Sequence, residues 1–117
     1  AGPVGIGSGQ AALENEGVYI IGVDADWYGN PTHDEYKDLI LTTILKDMQL
    51  AVFETIKSGV DGAFSGGDDV YVGNLANGGV GISEDKAGIW PAGLADEIAA
   101  LQAEIVAGTI NVVSSFD

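Results

Sequence analysis

Apolar positions along this chain occur either in short continuous runs or at helical spacing. Val18–Val23 is a run rich in β-branched and aromatic residues, and Leu39–Leu45 is a second that ends at Lys46. Both have the length and composition of buried strands. Three helices are expected, two of them from helical spacing. A short helix is predicted around Ser8–Asn15. Another over Asp47–Ser58 puts Met48, Ala51, Val52, Thr55 and Ile56 on one face, with Asp47 suited to the helix dipole. A third opens at Pro91, where Leu94, Ile98, Leu101 and Ile105 form one apolar stripe. Gly59 and Gly108 read as the stops of the last two.

The segments between these elements are polar. Asp24–Tyr36 is turn-rich, with Gly29-Asn30-Pro31 as its breaker, and Asp61–Gly67 is a loop. Val70–Gly73, Gly79–Ile82 and Ile110–Val113 are short strand candidates, the first two separated by Asn74–Asn77. Helices alternating with strands predict an α/β fold with a largely parallel, Rossmann-like sheet. In such sheets ligands gather at the carboxyl ends of the strands. The first strand ends in Asp24-Ala25-Asp26-Trp27, two carboxylates and an indole, which points to binding more than to reaction.

Composition narrows the partners. Eighteen acidic residues against four basic ones give 117 residues a net charge of −14. That field repels phosphate backbones and anionic lipid, so nucleic acid is an unsuitable partner. The acids are spread along the chain, as on a solvated surface. With no cysteine there is neither a disulfide framework nor a thiolate site. The glycine-rich opening, with no strand before it, is expected to be the loop after a strand of something longer.

Several constellations carry chemistry, each with a plainer alternative. Gly7-Ser8-Gly9-Gln10-Ala11-Ala12 fits the glycine pattern of a phosphate cradle, and Asp24 stands where a ribose-binding acid would. The alternative is a tight turn into a helix. Asp24, Asp26, Gly29 and Glu35 imitate a calcium loop, but Tyr28 and Pro31 depart from it, and the alternative is an acidic surface loop. His33 is the only histidine, so a zinc site is not expected, and a solvated loop histidine is. Gly5-Ile6-Gly7-Ser8-Gly9 lacks the spacing of a nucleophile elbow. Lys46, a cation at a helix start, needs a reason that the dipole does not supply. It can pair with Asp24, reach a ligand oxygen, or stand exposed without a role. Trp27 can be a stacking platform for a flat ring or a cover over the sheet end. Trp90 and Phe64 are expected to seal the core.

Taken in order, Ala1-Gly2-Pro3-Val4-Gly5, Ile21-Gly22-Val23-Asp24-Ala25-Asp26, Leu41-Thr42-Thr43-Ile44-Leu45-Lys46, Gly62-Ala63-Phe64-Ser65-Gly66-Gly67, Val72-Gly73-Asn74-Leu75 and Gly78-Gly79-Val80-Gly81 resemble the C-terminal part of the basic membrane protein family. These are bacterial lipoproteins, receptors that bind purine nucleosides for ABC transporters with a type I periplasmic-binding-protein fold. The resemblance implies that residues 1–117 form mainly the second lobe, with the helix near 47–58 as a candidate crossing to the first. It implies a non-enzymatic solute-binding protein without cofactor, anchored outside the cytoplasm and serving a permease. The missing N-terminal lobe would carry the aromatic residues that sandwich the base. By the same resemblance Asp24 accepts the ribose hydroxyls, Lys46 reaches the ligand from the next strand, and Gly2 lets backbone amides approach it. Asp26 sits beside them. Trp27 stands where the family has a small polar residue, and the Tyr28–Asp38 loop is longer, so base preference stays open. The alternatives are a fragment of a nucleotide-cofactor enzyme and a purely structural piece.

Overall fold

The computed structural model describes residues 5–64, 66–67 and 70–113. In chain order the elements are helix α1 (Ile6–Leu13), strand β1 (Ile20–Asp24), a 3-10 segment (Pro31–Leu39), strand β2 (Ile40–Lys46), helix α2 (Met48–Val60), strand β3 (Val80–Ile82) and helix α3 (Leu94–Val106). They make a small α/β domain around a three-stranded sheet of order β1-β2-β3. β1 and β2 are parallel, with Asp24 opposite Leu45. β3 is antiparallel to β2, with Val80 opposite Lys46 and Ile82 opposite Ile44. The sheet is therefore mixed, not largely parallel. After α2 the chain re-enters at the carboxyl end of β2 and runs back along it, so β3 has the opposite sense.

The connection between the parallel strands is 3-10 helix instead of open loop. Asn30 starts it by accepting the Thr32 amide at 3.0 Å. Pro31 follows with its φ already set. At Tyr36 the backbone leaves helical geometry, with φ −127°. That break turns the phenol ring inward onto α1, where Ala12, Ile20, Tyr36 and Ile40 form the buried core, flanked by Trp27 and Leu39. Burial of a ring this size is worth roughly 1.5–3 kcal/mol. It requires α1 to present no side chain at Gly9, because a Cβ there would overlap the Tyr36 ring.

Two of the strand candidates do not pair. Val70–Gly73 and Ile110–Val113 lie outside any ladder. Asn74 and Asn77 instead clasp each other's backbone amides through their side-chain carbonyls, both at 2.9 Å. The Asn77 amide nitrogen also donates to the Val72 carbonyl, which is thereby used in a turn.

α2 runs one residue past Gly59 and turns at Gly62, whose φ is +72°. It is tethered at its start. The Asp47 carboxylate accepts the Leu50 amide at 2.8 Å, while the Asp47 amide donates to the Gly79 carbonyl at 2.9 Å. Leu50, Ala51, Glu54 and Ser58 are the half-buried positions along the helix. Apart from Ala51, the apolar face expected to be buried points outward: Met48 is 66% exposed and Ile56 62%. Phe64 is exposed as well, while Trp90 is half-buried. Neither α2 nor α3 contains a fully buried residue. The radius of gyration is 17.1 Å, against about 13 Å for a compact domain of this length. Among the described residues no helix is long and apolar enough to cross a membrane.

The two glycines of α1 should respond oppositely to alanine. Gly7 has open space around it among the described residues, so Gly7→Ala should stabilise by about 0.5–1 kcal/mol through helix propensity. Gly9→Ala gains the same propensity but displaces Tyr36, and a net loss of about 1–3 kcal/mol is expected. Urea unfolding of the two variants checks both signs.

Candidate functional site

Parallel pairing of β1 and β2 carries their carboxyl ends to the same side of the sheet. Asp24 closes β1 and Lys46 closes β2 one position beyond its register partner. Their side chains meet: Lys46 Nζ lies 2.8 Å from Asp24 Oδ1, and both are about half exposed. The pair explains a cation ahead of a helix start. Lys46 itself is still strand, paired with Val80, and the following Asp47 caps α2.

Asp24 has a left-handed backbone, with φ +74°, the one non-glycine residue so placed among those described. Aspartate tolerates this conformation better than most residues, since its short side chain satisfies local polar groups. The turn sends the chain sharply away from β1 and aims the carboxylate across the end of β2. Two residues on, Asp26 is folded into an Asx turn, its Oδ1 accepting the Tyr28 amide at 3.2 Å. Its other oxygen accepts from Lys86 Nζ at 2.5 Å. That ammonium arrives from the loop after β3, and the hydrogen bond and charge of Asp26 hold its pKa above the ordinary lysine value of 10.5.

Around these groups lies an open cavity of about 500 Å³. Asp24, Asp26 and Lys46 line it together with Met48, Gln49, Gly78 and the start of β3 at Val80 and Gly81. The volume is that of small-molecule sites, which run to roughly 300–1,000 Å³. Its walls are mainly apolar, with charge concentrated on the acids and Lys46. Among the described residues, no three His, Asp or Glu side chains converge as metal ligands would.

Trp27 stands behind this cavity and does not line it. Its backbone amide donates to Thr43 Oγ1 at 3.2 Å and its indole nitrogen to the Val23 carbonyl at 3.0 Å. The ring lies over Gly22, where a Cβ would come within 2.6 Å of Trp27 Cγ and 2.8 Å of Thr43 Oγ1. It stacks on His33 with centroids 4.4 Å apart. His33, expected in solvent, is buried at 5% exposure. Its Nδ1 shares a 2.5 Å hydrogen bond with the Tyr36 hydroxyl. Burial, and then the Glu35 carboxylate, push the Tyr36 phenol above its ordinary 10.0, so it keeps its proton. The histidine came inward because Trp27 offered it a ring face and Tyr36 a polar partner.

The loop after β3 is tied down at several points. Ser83 donates its amide to the Thr43 carbonyl at 2.9 Å and accepts the Thr43 amide on its hydroxyl at 2.8 Å. Asp85 accepts the Ile89 and Trp90 amides at 3.0 and 2.9 Å. Partial desolvation acts to raise the Asp85 pKa, but the amides of Trp90, Ile89 and Gly88 outweigh it, leaving the carboxyl below its ordinary 3.8. The Trp90 indole closes the loop onto β2 through the Leu41 carbonyl at 2.6 Å.

Of the residues singled out from sequence, the structure brings Asp24, Lys46 and Asp26 together and sets Trp27 behind them. Gly2 lies outside the described residues. Lys86 escaped the sequence reading. Its only signal was scarcity, as one of four basic residues in the chain. No protein-family model matches the chain.

Two measurements follow from this geometry. Alanine at Asp24 keeps the left-handed strain and glycine removes it, so Asp24→Ala should be less stable than Asp24→Gly by about 1–2 kcal/mol in urea unfolding. For Asp85 the folded pKa is depressed, so its contribution to stability is present above the unfolded value and lost as pH falls through the folded one. Asp85→Asn should therefore show a shallower fall in melting temperature than the parent on acidification below about pH 4.

Proposed function

We propose that the chain is part of a two-lobed solute-binding protein that takes up a nucleoside, expected to be a purine nucleoside, for an ABC permease outside the cytoplasm. The observation that carries this reading is the 2.8 Å Asp24–Lys46 pair at the mouth of the cavity. A carboxylate fixed by a strand end can accept both hydroxyls of a vicinal diol, and a neighbouring ammonium can donate to a ring or sugar oxygen. A pocket whose buried polar groups need such partners rejects compounds that lack them. The resemblance of the ordered motifs to the basic membrane protein family supports the same ligand class. In this reading the chain contributes mainly the second lobe of a type I periplasmic-binding-protein fold. Closure of two lobes by hinge motion would complete the site. It would also cover the apolar faces that α2 and α3 leave exposed.

The nucleotide-cofactor alternative draws less support from the geometry. Its cradle depends on Gly9 being free for close approach by a phosphate, yet that space is filled by the Tyr36 ring. No chemistry beyond binding is needed to account for an ion pair on an open cavity.

Titration calorimetry of the complete receptor with adenosine, guanosine, inosine and NAD tests the proposal. Saturable heat with a nucleoside is expected. Heat with NAD alone, or with none of the four, would end it. Asp24→Asn keeps tolerance of the left-handed backbone while removing the charge, and should cost about 1.5–3 kcal/mol of nucleoside affinity.

A further inference from the structure

We infer that Lys86 is a positioning residue for Asp26: the loop after β3 carries its ammonium across the end of β2 to fix the second carboxylate of the site. The inference rests on the solute-binding reading above. Sixty positions separate the partners in sequence, so proximity along the chain does not bring them together. Lysine is scarce here. Of the four basic residues, two are placed on the alternating acids of one strand end, Lys46 on Asp24 and Lys86 on Asp26.

The loop is built so that Lys86 has this partner and not a nearer one. Asp85 is adjacent, but both its oxygens are engaged by the Ile89 and Trp90 amides, and Glu84, two residues back, adds its charge to Lys86 while the hydrogen bond goes to Asp26. Ser83 and the Trp90 indole pin the two ends of the loop to Thr43 and Leu41 on β2. The anchored loop fixes where the Lys86 backbone stands, within side-chain reach of Asp26. The ammonium meets Asp26 where that residue is already constrained by the Tyr28 amide.

Asp26 lies on the large cavity and also on a smaller one of about 250 Å³ that Lys86 lines. Lys86 does not line the large cavity. Its effect on a ligand there must pass through Asp26. Two carboxylates flanking a single alanine repel each other unless each has its own counter-ion. Without Lys86 the Asp26 carboxylate keeps only the Tyr28 amide on one oxygen, and ordering the other again on a ligand would weaken binding.

Calorimetry with adenosine on the complete receptor tests this, comparing the parent with Lys86→Met, Lys86→Arg, Asp26→Asn and the Asp26→Asn/Lys86→Met double variant. Lys86→Met should weaken binding ~2–5-fold, and Lys86→Arg should restore parental affinity. In the Asp26→Asn background, loss of Lys86 should have no further effect, a result that general weakening of the fold would not produce. Thermal melts of each variant show whether it is folded. Parental affinity in Lys86→Met, or equal weakening with and without the Asp26 charge, overturns the assignment while leaving the receptor reading intact. Absence of adenosine binding in the parent, with no other nucleoside bound, overturns both.

Discussion

Parallel pairing of β1 with β2 is the constraint on which the rest of this molecule depends. Had the two strands run in opposite senses, Asp24 and Lys46 would sit at opposite ends of the sheet, about 15–20 Å apart. Side by side, they deliver a carboxylate and an ammonium to one rim, and the turn beyond each residue decides what surrounds them. The left-handed step at Asp24 swings Asp26 toward β3, and the cap at Asp47 starts α2 along the opposite wall. An exposed ion pair by itself adds little to stability, typically 0–1 kcal/mol. Its weight here lies in geometry: it records that the strand ends are in register and that the cavity between them is polar on one side.

Behind the rim, the structure is held by rings seated on glycines. Gly9 admits the Tyr36 ring and Gly22 admits the Trp27 indole. The two rings are joined through His33, which stacks on one and hydrogen-bonds the other. This column couples the helix before β1, the sheet and the connection to β2 into one packed unit. It also absorbs three residues that invite functional readings: a glycine of a phosphate-loop pattern, a tryptophan beside two acids, and the lone histidine. Packing accounts for all three.

The join between β2 and the chain on either side of it is organised by polar groups on β2. Thr43 is fully buried, yet its amide, carbonyl and hydroxyl all have partners, in Ser83 and Trp27. Thr42 adds a 2.8 Å bond to the Ser83 carbonyl. A Thr-Thr step inside an apolar strand thus joins the loops on both flanks to the central strand. That arrangement allows a β3 of only three residues to keep its place.

Local pattern was enough to find the two long strands and all three α-helices, because each depends on runs or spacing within a few residues; for Lys46 it left pairing with Asp24 open beside other roles, and the parallel register brought the two together. The class, α/β, followed from their alternation. Tertiary structure alone decided the direction of β3, since sequence periodicity is the same for parallel and antiparallel partners. It decided which side of α2 is half-buried, because that depends on what the rest of the chain places beside the helix and not on the apolar stripe alone. It also placed His33 inside and Lys86 at the site. A side chain's partner sixty residues away leaves no trace in the spacing around it, and only the folded backbone brings the two within reach.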